Sequence, residues 1–178
     1  MTVEKGKMPE RRHYRHVVVT PMRDESRFLP ALISSMSSQT IIPSKWIIMN
    51  DNSSDNSVQI IQDAIDKFPW ISCFSMNNGN KRERGKPIAR LFNIGLSELG
   101  DEWDFYSKID ADMILPTDYF ESILSKFHEI DKLGIASGSC FVVSSNGKSV
   151  DEFSFGNHTR GGLKTYSGKC LHGIGGVR

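Results

Sequence analysis

Cysteine is scarce in this sequence, and the three that occur, Cys73, Cys140 and Cys170, are far apart with no Cys-x-x-Cys pair. An odd number of distant cysteines is not typical of a disulfide-stabilised secreted domain, and the paired spacing of a structural zinc site is missing. The sequence therefore favours a protein of a reducing compartment, and its 178 residues are enough to bury a hydrophobic core.

Long apolar runs are lacking as well. No uninterrupted apolar stretch approaches the ~18 residues of a membrane span, and residues 1–15 are polar and basic without the apolar segment of a signal peptide. We expect no transmembrane segment and a cytoplasmic location, with the basic lead suited to peripheral contact with the inner face of a membrane.

An excess of one charge sign is also absent, because 22 Lys and Arg stand against 21 Asp and Glu. Nonspecific binding to nucleic acid usually needs a strong basic excess, so no nucleic-acid partner is predicted. The balance conceals two opposite clusters. Residues 81–90 hold five basic side chains and one acid, whereas residues 101–112 hold five acids and one lysine.

Such a pair of clusters suits a metal-bound diphosphate, with cations on the phosphates and carboxylates on the metal. Lys86 and Arg90 are the basic candidates, because they flank the start of a predicted helix, whose amino end favours anions.

Short β-branched runs alternate with stretches of helical periodicity along the chain. Strands are predicted at residues 16–20, 46–49, 71–76, 105–109 and 135–143, and helices at 26–38, 58–68, from Pro87 and at about 117–133. This alternation is typical of an open, mostly parallel twisted α/β sheet with flanking helices. After residue 143 the pattern changes and predicts a small hairpin region. The predicted organisation is a flexible lead (1–15), an α/β domain (16–143) and a smaller region (144–178).

Acidic residues follow three of the predicted strands. Ligands of open α/β sheets bind at the carboxyl ends of the strands, so these acids are expected to share one crevice. Two of them, Asp110 and Asp112, lie about 7 Å apart along an extended backbone and suit a hard divalent cation such as Mg²⁺ or Mn²⁺. The acids are Asp24, Glu25, Asp51, Asp110 and Asp112.

Four ordered motifs carry a family resemblance. They are Val-Val-Val-Thr-Pro-Met-Arg-Asp-Glu (17–25), Ser-Gln-Thr (38–40), Asn-Asp-Asn-Ser-Ser-Asp-Asn-Ser (50–57), and Asp-Ala-Asp (110–112) with Pro116 and Tyr119. With these motifs the sequence, over about residues 16–178, resembles the family 2 glycosyltransferases of the GT-A fold. The resemblance implies inverting transfer of a sugar from a nucleotide-diphosphate donor, a UDP-sugar first, with Mn²⁺ or Mg²⁺, to a saccharide or lipid-linked acceptor. Residues 16–143 would then bind the nucleotide-sugar, and 144–178 would form an incomplete acceptor-side region.

The resemblance also implies roles for single residues. Asp51 would accept a hydrogen bond from the base, Asp110 would lie near the ribose or the metal, and Asp112 would bind the metal. The family often has Tyr-Asn where Arg23-Asp24 stand here, and Asp-Asp where Asn50-Asp51 stand, which leaves the nucleotide open. The other implied donor-binding residues are Pro21, Arg23, Glu25, Lys86, Arg90 and Asn93.

A general base is the missing part of this pattern. Displacement at the anomeric carbon needs a group that deprotonates the acceptor hydroxyl, and members of the family supply an Asp or Glu later than Arg178 would allow. Asp151 and Glu152 are the nearby acids, and a hairpin turn accounts for both. The chain is therefore expected to be a truncated chain or gene fragment whose base lies beyond Arg178.

Two other functions remain open. A nucleotidyltransferase shares nucleotide, metal and sheet, but its Gly-rich first loop bearing Lys and Arg is absent after Val19. A noncatalytic nucleotide-sugar-binding module, or an inactive fragment, would keep the donor site without turnover.

Overall fold

The computed structural model describes residues 14–75, 92–94, 96, 103–143, 149–151 and 159–176. The strands are β1 (His16–Met22), β2 (Lys45–Asn50), β3 (Ile71–Ser75), β4 (Phe105–Ile109), β5 (Ile135–Ala136), β6 (Phe141–Val143), β7 (Ser149–Asp151) and β8 (Leu163–Ser167). The helices are α1 (Leu29–Ser37), α2 (Ser57–Lys67), α3 (Tyr119–Glu129) and α4 (Gly168–Gly173). Phe92–Ile94 and Leu96 are also helical.

The main sheet has six strands in the order β3-β2-β1-β4-β8-β5. The first four are parallel to one another, and β8 runs antiparallel to both β4 and β5. β6 and β7 form a separate antiparallel pair. The predicted mostly parallel α/β sheet is therefore confirmed, and β8, from the region that the sequence assigns to the smaller C-terminal part, lies in the main sheet.

Alternate residues of the central strands pack on opposite faces of the sheet, as the pleat of a strand requires. Val18 of β1 packs with residues of α1, α2 and α3 on one face, whereas Val17 and Val19 pack with Phe92 and with Leu171 of α4 on the other. Because both faces are covered, the central strands are mostly apolar, which is what the sequence pattern indicated.

The sequence predicts that the first strand ends before Pro21, and this prediction is wrong. β1 continues to Met22, and Pro21 pairs with Met49 of β2. The pairing of β1 with β4 stops at Val19, so Pro21 has a neighbouring strand on one side only, where a missing N–H donor is tolerated.

The prediction of a single strand at 135–143 is wrong, because this stretch forms β5 and β6, which belong to two different sheets. The residues between β5 and β6 make contacts outside the sheet ladders. The Ser137 hydroxyl accepts a hydrogen bond from the Arg160 N–H, and Gly138 lies so close to Tyr119 that a Cβ would be 3.0 Å from its ring. These contacts take the chain out of the main sheet.

Helix boundaries differ from the predicted ones where loop contacts compete. α1 begins at Leu29 instead of residue 26, because the Ser26 N–H donates to the Asp55 carboxylate. The helical periodicity of the sequence places Val58 on the apolar face of α2, but Val58 is exposed, and Ser57, Ile61 and Ala64 are buried. Within the described residues, no helix is long and apolar enough to cross a membrane.

Candidate functional site

The loops after β1 and β2 leave the sheet side by side. Met22 is paired with Asn50 at the end of the two strands, and the Asp51 N–H donates to the Met22 carbonyl at 2.8 Å. Arg23 and Asp51 therefore follow at the same edge, where Arg23 Nη1 lies 3.5 Å from Asp51 Oδ2. Both side chains are mostly covered, with exposed fractions of 21% and 19%.

We call residues 23–28 and 51–57 the β1–β2 loop pair, because the two segments are joined by hydrogen bonds. Asp24 Oδ1 accepts from the Ser54 N–H at 2.6 Å and from the Ser54 hydroxyl at 3.1 Å, and the Asp24 N–H donates to Ser53 Oγ at 3.0 Å. The Glu25 N–H donates to Ser57 Oγ at 2.9 Å. The loops thus fix each other's backbone.

Hydrogen bonds also set the charge of two acids in this loop pair. The backbone N–H of Ser54 lowers the pKa of Asp24, and bonds from Ser26 and Ser57 lower the pKa of Asp55. Asp24 has φ of 55°, a left-handed conformation that Asp tolerates better than most residues. Both carboxylates therefore hold the loops in shape.

The second part of the site is the β4 edge, which we define as Lys108 to Asp112 together with Gly161 and Gly162. β4 is parallel to β1, so its carboxyl end lies at the same edge as the β1–β2 loop pair. Lys108 Nζ donates to Asp110 Oδ1 and to the Gly161 carbonyl, the latter at 2.9 Å. Its side chain is 8% exposed, whereas that of Asp110 is 32% exposed.

A glycine makes room for Asp110. The Asp110 N–H donates to the Gly162 carbonyl at 2.9 Å, and a Cβ on Gly162 would stand 2.6 Å from Asp110 Oδ2 and 2.8 Å from Met113 Cε. Asp110 is thus held by Lys108 on one oxygen and lies against the Gly162 backbone on the other. Asp112, two residues on, is exposed.

Electrostatics connects the two parts of the site through Glu25. Burial is the main cause that raises the pKa of the Glu25 carboxyl, and the negative charges of Asp112, Asp55, Asp110 and Asp24 raise it further. The part of this rise that comes from the neighbouring carboxylates marks a region of negative potential. Such a region favours a cation.

The chemistry of these donors fits a hard divalent ion. Among the described residues, no three His, Cys, Asp or Glu side chains come close enough together to hold a metal ion by themselves. Mg²⁺ in proteins is usually held by one or two carboxylates, while waters and substrate phosphates supply the remaining ligands. Asp112, with Asp110 beside it, provides this kind of incomplete set.

The remaining predicted residues lie in different places. Pro21 is half-buried in β1, and Asn93 is one of the helical residues that cover the sheet, with its amide 3.0 Å from the position of a Cβ on Gly176. Asp151 lies in β7, outside the main sheet. Lys86, Arg90 and Glu152, and the whole of the basic segment 81–90, lie outside the described residues.

Lys108 and Gly162 are site residues that the sequence did not single out. Lys108 is one lysine inside a buried strand, which is a usable signal because a lysine is almost never buried without a partner. Gly162 gives no such signal, since its role depends on where β8 pairs with β4.

The family profile described as "Glycosyl transferase family 2" matches residues 17–172. This match spans the whole described sheet, from β1 to α4. The chain belongs to glycosyl transferase family 2. No curated protein sequence matches it.

Solved structures of glycosyltransferases share the fold. The mannosyltransferase PcManGT from Pyrobaculum calidifontis, in complex with GDP-Man and Mn²⁺, is 14% identical with a TM-score of 0.69, and the match covers 94% of this chain and 48% of that one. TarS 1-349 of S. aureus in complex with UDP is 16% identical with a TM-score of 0.63, over 90% of this chain and 49% of that one. GalNAc-T7 with UDP, GalNAc and Mn²⁺ is 11% identical with a TM-score of 0.63, over 93% and 37%.

These likenesses confirm the GT-A fold that the resemblance implied. The family 2 chain described here spans half or less of the length of each of these three proteins.

Proposed function

We propose that this chain forms the donor-binding part of an inverting glycosyltransferase that uses a nucleotide-diphosphate sugar with Mn²⁺ or Mg²⁺. One observation carries the proposal. The Asp110–Asp112 pair and Glu25 share a negative potential at the sheet edge where the family's nucleotide would bind, and Arg23 with Asp51 lies at the same edge. Membership of family 2 and the Mn²⁺ in the PcManGT and GalNAc-T7 structures support the same function.

The residues have distinct roles in this proposal. Asp51 accepts a hydrogen bond from the base, and Pro21, Arg23 and Glu25 form the loop beside the nucleotide. Asp112 is the main metal ligand, and Asp110 assists it from the position that Lys108 holds. The metal, when bound, acts as a Lewis acid toward the leaving diphosphate.

The proposal also includes the remaining residues that the family resemblance implies. Lys86 and Arg90 bind the diphosphate, with Asn93 on the donor side. Inversion requires a base that deprotonates the acceptor hydroxyl. Within this chain, Asp151 and Glu152 are the candidate acids for that role. The acceptor is a saccharide or a lipid-linked sugar. The free state of Cys73, Cys140 and Cys170 supports the cytoplasmic location.

Calorimetry tests the donor site. The parent chain is titrated with UDP and GDP, with and without Mn²⁺. Asp112→Ala is expected to remove the Mn²⁺-dependent part of nucleotide binding, with a loss of about 100-fold or more in affinity, because the charge that holds the metal is gone. Asp51→Ala is expected to weaken nucleotide binding about tenfold while the Mn²⁺ dependence remains.

The matched control is Asp63→Ala, which removes an exposed carboxylate of α2 that is bonded to Gln59. Its nucleotide binding should equal that of the parent. If Asp112→Ala binds as the parent does with Mn²⁺ present, the assignment of the site is wrong.

Turnover separates the alternatives. Release of UDP or GDP from a nucleotide-sugar in the presence of Mn²⁺ supports the transferase, and binding without release supports a noncatalytic module or inactive fragment. Formation of pyrophosphate from a nucleoside triphosphate and a sugar phosphate would identify a nucleotidyltransferase.

A further inference from the structure

Arg23 has hydrogen-bonding capacity that the described protein leaves unused. Its Nη1 is buried and forms no hydrogen bond with the described residues. The nearest carboxylate contacts are ion pairs, 3.5 Å from Nη1 to Asp51 Oδ2 and 4.0 Å from Nε to Asp24 Oδ2. A buried charged donor without an acceptor is unfavourable. The side chain as a whole is 21% exposed, so the rest of the guanidinium offers a surface from which it can donate to a ligand.

The position of Arg23 indicates which part of a ligand its side chain would contact. It follows the last residue of β1 and lies against Asp51, the residue proposed to accept a hydrogen bond from the base. An arginine carries five N–H donors in a planar fork, so it can keep its contact with Asp51 while other N–H groups donate to a neighbouring atom. The pair therefore presents an acceptor and a donor next to each other.

We propose that Arg23 and Asp51 read the base together, and that they select a base with a ring N–H beside a carbonyl oxygen. Asp51 accepts the ring N–H, and Arg23 donates to the carbonyl oxygen next to it. Uracil and guanine have this edge. This inference rests on the proposed function, since it assumes that the base lies at Asp51.

Cytosine and adenine do not fit the same arrangement. At the corresponding ring position both carry an unprotonated nitrogen, whose lone pair would face the Asp51 carboxylate. Either base would have to shift so that its amino group reached Asp51. The proposed pair therefore discriminates between classes of base by donor and acceptor pattern, and a mismatch leaves polar groups unpaired.

A simpler role for Arg23 would be to neutralise Asp51. The two roles differ in one measurable respect, which is whether Arg23 senses the carbonyl oxygen itself. Replacing that oxygen by sulfur in 4-thio-UDP or 6-thio-GDP weakens it as an acceptor. Sulfur is also larger and makes the ring N–H more acidic, but these effects are common to all protein variants and cancel when the variants are compared. A comparison of protein variants with these nucleotides forms a double-mutant cycle between Arg23 and one atom of the ligand.

Calorimetry of the 178-residue chain with Mn²⁺ measures this cycle. The parent should bind UDP or GDP about tenfold more tightly than the corresponding thio nucleotide, and about tenfold more tightly than CDP or ADP. Arg23→Met keeps the length of the side chain but removes its donors. It should bind the oxo nucleotide about tenfold more weakly than the parent, and its oxo-to-thio affinity ratio should be about tenfold smaller than the parent's.

Arg27→Met is the matched control, because Arg27 is an exposed arginine of the same loop that lies over the ring of Phe28. It should keep the parent's oxo-to-thio ratio. Arg23→Lys keeps the charge beside Asp51 but loses the planar fork, and its ratio should fall below the parent's. This second variant decides the matter if Arg23→Met does not fold.

The outcomes separate the two proposals. If the parent binds no nucleoside diphosphate with Mn²⁺, the proposed function fails and this inference fails with it. If the parent binds UDP or GDP but the Arg23 variants keep its oxo-to-thio ratio, the function stands and Arg23 does not read the base. A parent that prefers CDP or ADP would also overturn the inference.

Discussion

The β1–β2 loop pair and the β4 edge use the same side chain, a carboxylate, in opposite ways. In the loop pair, Asp24 and Asp55 accept hydrogen bonds from backbone N–H groups, which lower the pKa of both. At the β4 edge, the charges of Asp112 and Asp110 add to burial, together with those of Asp55 and Asp24, in raising the pKa of Glu25. Acids that the protein already satisfies shape loops, whereas acids that repel one another leave a place for a cation.

The two regions also differ in how many contacts hold them. The loop pair has several hydrogen bonds between its two segments, so one loss is shared among the rest. At the β4 edge, the Lys108 side chain links the Asp110 carboxylate to the Gly161 carbonyl, and one backbone bond joins the Asp110 N–H to the Gly162 carbonyl. A single substitution should therefore disturb the β4 edge more than the loop pair.

The largest effect is expected for Lys108→Met, which keeps the buried stem and removes the charge. The Asp110 carboxylate and the Gly161 carbonyl would then lose their shared donor inside a largely buried site. Breaking a buried ion pair costs about 3–5 kcal/mol, and because Asp110 is partly exposed to water we expect a loss of about 2–3 kcal/mol in the free energy of unfolding. Urea denaturation measures it.

Lys126→Met is the control, since Lys126 forms an exposed ion pair with Glu129 on α3. Its removal should cost less than about 0.5 kcal/mol. Equal losses for the two lysine variants would show that the β4 edge does not depend on Lys108.

A second prediction concerns a buried chain of hydrogen bonds that joins β1, β4 and β8. His16 at the start of β1 shares a hydrogen bond of 2.8 Å with Ser107 Oγ of β4, and Ser107 bonds Thr165 of β8 at 2.7 Å. Complete burial lowers the pKa of His16 to about 3, so the folded protein holds it neutral. The unfolded chain, with a pKa near 6.5, binds a proton that the folded protein does not.

This contribution of His16 to stability is present in full above about pH 6.5 and is lost as the pH falls toward 3. The slope is at most about 1.4 kcal/mol per pH unit, which gives about 2 kcal/mol between pH 6.5 and 5. Denaturant titrations at several pH values measure it. The raised pKa of Glu25 acts in the opposite direction, so the difference between the parent and His16→Gln isolates the contribution of the histidine. An identical pH profile for His16→Gln would contradict the prediction.

The sequence predicts what short-range patterns determine. The apolar runs at 16–20, 46–49 and 105–109 predict β1, β2 and β4, and the acids after them predict one shared edge of the sheet. The sequence does not predict β8, because Leu-Lys-Thr-Tyr-Ser has no long apolar run and its buried polar residue Thr165 finds its hydrogen-bond partner, Ser107, on β4. Gly162 depends on that same pairing. The helix starts at Leu29 and Ser57 depend on bonds between two loops, which no single segment encodes.

The smallest effect is expected within the loop pair, where two serines differ in how replaceable they are. Ser57 is buried, and its hydroxyl accepts the Glu25 N–H, so Ser57→Ala leaves that donor unsatisfied and should cost about 1 kcal/mol. Ser54→Ala removes a hydroxyl from Asp24, but the Ser54 N–H still donates to the same oxygen, so its cost should stay below about 0.5 kcal/mol. Thermal and urea unfolding of the two variants measure the difference. If Ser54→Ala lowers the free energy of unfolding more than Ser57→Ala does, the bond from the Ser54 N–H is not sufficient to hold Asp24. The hydrogen bonds of the loop pair would then not replace one another, and the loop pair would not differ from the β4 edge in this respect.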